Sequence, residues 1–108
     1  MNNIKEITQK PILIYREMLL NLGILESVFL AQLIEIEFYN RQKDHWFSCT
    51  NKLMQQLTGI GPVAQKKIRK KLQEMGLLEY QKKGMPAKNY YILNQAELIL
   101  LIDNSVGE

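Results

Sequence analysis

Four residues near the middle of the chain, Gly59-Ile60-Gly61-Pro62, limit its possible folds more than any others. Helical spacing runs up to them and resumes after them. Before the turn, Thr50 can cap a helix over residues 51–58, with Leu53, Met54 and Leu57 inward. After it, Pro62 suits the first position of a new helix, where its missing N–H is no loss. That second helix is expected over 62–75, with Gly76 as its stop. Residues 77–81 and 89–93 have strand composition, and Gly84 and Pro86 fall in the polar stretch between them. A hairpin with a loop over 82–88 is expected. Residues 46–49, Trp-Phe-Ser-Cys, suit a short strand just before the first helix.

The flanks are more apolar. Pro11 opens a run over 12–15 that reads as a strand or an extended arm. A short helix over 16–22 is stopped by Gly23, and a longer one follows over 25–40. On the longer helix Leu25, Phe29, Leu33 and Ile36 share a face that Leu30 and Ile34 widen. Asn94 with Glu97 resembles a capping box for a last helix, although the run 98–102 is apolar all round and also suits a strand.

Charge is distributed unevenly along the 108 residues, whose net charge is +3. Residues 1–40 carry three basic and five acidic side chains, and residues 94–108 carry three acidic ones only. Residues 41–93 carry eleven basic side chains against three acidic. A field of that kind favours a polyanion. With about 100° per residue, Ala64, Ile68, Leu72 and Met75 form the inner side of the second helix and Lys66 and Lys70 its outer side. Pro62, Arg69 and Gln73 flank the lysines on one side, and Val63, Lys67 and Glu74 on the other.

A major groove admits one helix, which enters with its N-terminal turns nearest the bases. Val63, Gln65, Lys66 and Arg69 are therefore the candidates for base edges. Lys67, Lys70 and Lys71 are expected on phosphates. Lys82, Lys83 and Lys88 in the hairpin loop suit the adjacent backbone or a minor groove. Thr50 and Asn51 can add a phosphate contact through the helix N-terminus.

Several function classes find no support in the residues. The single cysteine, Cys49, excludes an internal disulfide. With His45 it makes too few soft ligands for zinc, so no metal is expected. Gly59-x-Gly61 lacks the third glycine and the strand–helix setting of a dinucleotide site, and no cofactor is expected. No nucleophile, base and orienting group occur in a pattern that implies catalysis. The longest unbroken apolar run, 98–102, is far too short to span a bilayer, and no signal peptide is visible, so a cytoplasmic protein is expected. Trp46, Phe47, Tyr90 and Tyr91 are aromatic candidates for base stacking, although alternation puts one of each pair toward the core.

Taken together, Trp46-Phe47-x-x-Thr50, Leu53, Leu57-Thr58-Gly59-Ile60, Ile68, Leu72, Gly76-Leu77-Leu78, Gly84-x-Pro86 and Tyr90-Tyr91-Ile92-Leu93 resemble the winged-helix domains of plasmid and phage replication initiators and of DnaD-type proteins. The resemblance covers residues 46–93 well and 11–40 more loosely. It implies an α+β, mainly α, winged helix-turn-helix over 1–108, with a three-helix core, a β-hairpin wing and extra terminal segments. It also implies double-stranded DNA binding through residues 62–75 and the wing, in replication or transcription control. Gly61 stands where that family usually has a Ser or Asn cap. The family's further C-terminal domain is not in these 108 residues. The alternative reading is a protein-interaction module. The apolar segments 25–39 and 98–102 would then serve a homodimer or replication proteins.

Overall fold

The computed structural model describes residues 10–41 and 43–103. Residues 12–15 form an extended arm outside the sheet, with Ile12 and Ile14 packed on the core and Leu13 and Tyr15 exposed. Helix α1 (Arg16–Leu22) and helix α2 (Ile24–Tyr39) meet at Gly23. Strand β1 (Phe47–Ser48) precedes α3 (Asn51–Thr58) and α4 (Pro62–Glu74). The hairpin is β2 (Leu78–Lys83) and β3 (Lys88–Leu93), and α5 (Gln95–Asp103) closes the described chain. The architecture is α+β and mainly helical, with the element order and pairing of a winged helix-turn-helix.

The α3–α4 turn forms for local reasons. The Thr50 hydroxyl accepts from Leu53 N at 3.0 Å and satisfies one of the open donors of α3. Gly59 ends that helix at φ +82°, a left-handed conformation that a side chain would strain, and its N–H donates to the Gln55 carbonyl at 2.8 Å. The Thr58 hydroxyl then accepts from Ile60 N at 3.1 Å. Gly61 caps α4 with no side-chain bond, and Pro62 follows in its first turn. The far end of α4 uses Gly76 at φ +78°. There Leu77 N donates back to the Leu72 carbonyl at 3.0 Å, turning the chain into β2.

The three strands are antiparallel in the order β1-β3-β2. Phe47 pairs with Tyr91, and Tyr91 with Tyr80, which puts these aromatics on the inner face of the sheet. Phe29 of α2 meets the Tyr91 ring edge-on with centroids 6.1 Å apart. Met18, Leu22, Leu30, Ala31, Leu33, Ile36, Cys49, Met54, Ile60, Ile68, Leu72, Leu77, Leu78, Leu93 and Leu98 complete the core.

The structure amends several sequence expectations. The hairpin strands run further than expected, so the loop contracts to residues 84–87, and Lys82, Lys83 and Lys88 are strand residues. The apolar run 98–102 is helical, and Asn94 Oδ1 accepts from Glu97 N at 3.2 Å as a cap. Leu25, expected inward, is exposed, because the apolar residues of α2 surround the helix and its inner side is set by what packs on it. Leu53 and Leu57 are half-buried, whereas Met54 is fully buried.

Candidate nucleic-acid interface

The buried side of α4 consists of Gln65, Ile68, Arg69 and Leu72. The apolar spacing predicts Ala64, Ile68, Leu72 and Met75 there. Met75 is instead exposed, so the helix is turned by roughly 50° about its axis, half a residue step, from the apolar reading. The turn brings two polar side chains inward, and the structure provides acceptors for Gln65 Nε2 and Arg69 Nη1, while Gln65 Oε1 has no partner among the described residues.

Gln65 is 1% exposed. Its Nε2 donates to the Ile60 carbonyl at 2.8 Å and to the Asn51 carbonyl at 3.0 Å, holding the turn against the start of α3. Arg69 is 7% exposed. Its Nη1 donates to Asn51 Oδ1 at 3.1 Å and to the Tyr91 hydroxyl at 3.3 Å, and its Cζ stands over the Tyr80 ring, 4.6 Å from the centroid. Asn89 Nδ2 donates to the same Asn51 oxygen at 2.8 Å, and the Tyr80 hydroxyl donates to Asn89 Oδ1 at 2.9 Å. This network ties α3, α4 and both wing strands together. Gln65 and Arg69 were expected at base edges. In this arrangement they lie behind the outer surface, because burying a polar group is tolerated only where such partners exist. Asn51 is likewise engaged through its side chain.

The outer surface of α4 carries Val63, Lys66, Lys67 and Lys70, all exposed. Val63 is 75% exposed near the helix start, where a chain that only needed to fold would favour a polar residue. Lys71, expected on a phosphate, points the other way. Its Nζ donates to the Leu22 carbonyl at 3.0 Å and lies 3.4 Å from Glu26 Oε2, fastening α4 to the α1–α2 junction.

The wing lysines divide between two faces. Alternation along β2 puts Lys82 on the face of Leu78 and Tyr80, beside α4. Lys83 and Lys88 are register partners on the opposite face, and Lys83 Nζ stands 5.4 Å from the Tyr90 ring centroid. Like charges directly opposite each other on a hairpin oppose its stability, so this pair does not serve folding. At the tip, Met85 is 99% exposed. Thr50 is exposed at the start of α3, facing the same cleft as Lys82, Ala87, Lys88 and Asn89.

Between α4 and β2 runs a groove of ≈ 500 Å³ lined by Asn51, Pro62, Val63, Lys66, Arg69, Lys70, Gln73, Tyr80 and Lys82. None of these is acidic. Tyr80 and Asn89 were not singled out from sequence. The usable signal was the period-two alternation that places Tyr80 and Lys82 on one face. Of the aromatics weighed for stacking, Phe47 and Tyr91 are buried, and Trp46 and Tyr90 are half-buried.

Cys49 beneath the site is buried, and its thiol is pushed up to about 12 by that burial, against the opposing pull of the Arg69 charge. It therefore stays protonated and unreactive near neutral pH. Burial also raises the Tyr91 hydroxyl, again with Arg69 pulling the other way, so this hydroxyl is neutral where it accepts from the guanidinium.

Among the described residues no helix is long and apolar enough to cross a membrane. The fold has a counterpart among solved structures. A chain described as "N-Terminal domain of DNA binding protein" superposes on 87% of this chain and 81% of its own length, with a TM-score of 0.59 and 18% identity. At that identity the likeness is one of fold. No protein-family model matches the sequence, and no curated protein matches it.

Proposed function

We propose that this protein binds double-stranded DNA without catalysis, in replication or transcription control. The outer surface of α4, with Val63, Lys66, Lys67 and Lys70, lies in the major groove. The wing, with Lys82, Lys83 and Lys88, lies on the neighbouring backbone or minor groove. The observation that carries this reading is the gathering of Lys66, Arg69, Lys70 and Lys82 around one groove whose lining has no acidic residue. The opposed Lys83–Lys88 pair supports it, since it costs the hairpin stability and favours a polyanion. The fold shared with a domain described as part of a DNA-binding protein adds support. Gln65 and Lys71 hold this surface from behind, Arg69 lies at the floor of the groove, and Thr50 stands at its edge.

Fluorescence anisotropy with duplex DNA at several salt concentrations tests the reading. Log K is expected to fall by about 0.9 per neutralised phosphate for each unit of log[salt]. Absence of binding at low salt would refute it.

A second reading, self-association or docking to replication proteins, draws on the apolar side chains left exposed on the opposite elements. Leu20, Ile24, Leu25 and Phe38 are exposed on α1 and α2, and Ile99 and Leu100 on α5. A homodimer would present two α4 helices to two half-sites. Light scattering after size exclusion decides it, and a monomer at micromolar concentration would remove the dimer.

A further inference from the structure

The groove between α4 and the wing has a positive charge at its floor that no group in the described chain neutralises. Both acceptors of Arg69 Nη1, Asn51 Oδ1 and the Tyr91 hydroxyl, are uncharged. The ion pair found among the described residues, Lys71 with Glu26, lies on the side of α4 turned toward α1. Arginine is rarely this buried unless a carboxylate or another anion meets it. A neutral side chain would hold Asn51 and Tyr91 at a lower desolvation cost. The hydrogen bonds of Arg69 leave through Nη1, so the Nη2 and Nε edge of the guanidinium has no partner among the described residues. The Tyr80 ring against Cζ and the Asn51 oxygen at Nη1 hold the guanidinium in place. Lys66, Lys70 and Lys82 line the same groove.

The geometry of duplex DNA supplies an anion at this place. One phosphodiester strand divides the major groove from the adjacent minor groove. If α4 occupies the first and the wing reaches the second, that strand must cross the space between α4 and β2. We propose that this groove is a seat for one backbone phosphate of the dividing strand, with Arg69 as its floor and Lys82 as its wing-side wall. The free edge of Arg69 can donate to two phosphate oxygens in the manner guanidinium groups favour. The seated phosphate would fix where the recognition helix stands relative to the wing. Arg69 then serves as a phosphate ligand, not a reader of bases. The inference rests on the DNA reading above.

The test uses the full chain and a duplex selected from random sequences. Single phosphates are replaced in turn by neutral methylphosphonates. For the wild type, one position in each bound site is expected to cost about tenfold in affinity when neutralised. Lys82→Met is expected to reduce the loss at that same position to the share that Arg69 holds, and to lower the salt slope by up to about 0.9. Lys82 is exposed on a strand, so this variant keeps the fold, which circular dichroism checks. Arg69→Met is the companion variant wherever it too stays folded.

If the wild type binds duplex but Lys82→Met keeps its full sensitivity at every position, the seat is overturned and DNA binding stands. If the wild type binds no duplex, the strand assignment falls with the DNA reading. Titration with inorganic pyrophosphate, followed through the NMR signal of the Arg69 side-chain N–H, then decides the rest. A saturable shift supports the anion seat with a free phosphate compound as its ligand, and no shift overturns it.

Discussion

Helices α2 and α4 pack against each other, yet they follow opposite plans. Helix α2 has 16 residues and buries Phe29, Leu30, Leu33 and Ile36 together with Ser27, Gln32 and Glu37, so it is covered on several sides. Helix α4 has 13 residues and buries a single stripe, of which half is polar. Its other side is lysine in water. A helix enclosed on several sides holds the fold, because moving it would uncover core in more than one direction. A helix buried along one stripe can be changed on its outside without disturbing what lies beneath. The difference separates the residues that make the scaffold from those free to meet a partner.

The sharpest way to break this contrast is to empty a position on each helix. Phe29→Ala on α2 removes a fully buried ring from between α2 and Tyr91 and is expected to cost about 3–5 kcal/mol in urea unfolding. A cost near zero would mean that α2 is not the scaffold described.

Next in size is Gln65→Ala on the buried stripe of α4. It strips the Ile60 and Asn51 carbonyls of their side-chain donor and is expected to cost about 1–3 kcal/mol. Sequence preference should be unchanged in whatever fraction stays folded. Altered preference in a variant of full stability would restore Gln65 to the base edges.

Lys66→Ala combined with Lys70→Ala addresses the outer side. Stability is expected to stay within about 0.5 kcal/mol, while the salt slope of DNA binding falls by about 0.9 for each phosphate left without its lysine. An unfolded double variant, or one with unchanged DNA affinity, would erase the distinction between the two sides of α4.

The smallest effect concerns Glu37, the buried acid of α2. Burial raises its carboxyl above the usual range, and the Gln95 amide donating at 2.8 Å partly opposes this. A carboxyl raised in the folded state contributes its stability below the unfolded pKa and loses it as pH rises through the folded one. Glu37→Gln is therefore expected to unfold at slightly higher temperature than the wild type at pH 7, with the gap closing toward pH 4. A gap that widened on acidification would reverse the sign of this assignment.

Much of the architecture is legible in the sequence. Thr50, Gly59, Pro62 and Gly76 act through their own backbone and nearest neighbours, so their effects can be read locally. The wing reads too short because Lys82, Lys83 and Lys88 sit on strands with solvent on one or both sides, where hydrophobic alternation fades. Arg69 and Gln65 read as outward because periodicity assigns polar residues to solvent. Lys71 groups with the other lysines because nothing in its neighbourhood names the Leu22 carbonyl as its partner.

The succession of helix, turn, helix and hairpin, and the gathering of basic residues into that one segment, can be read from the residues alone. Both follow from preferences that act over a few residues. Which of those basic residues face outward was decided only by the tertiary structure. Asn51, Asn89, Tyr80 and Tyr91 come from other elements, and together they form a polar wall against which Gln65 and Arg69 can be buried. The cost of burying a charge depends on what stands opposite it, and that is set only once distant segments meet.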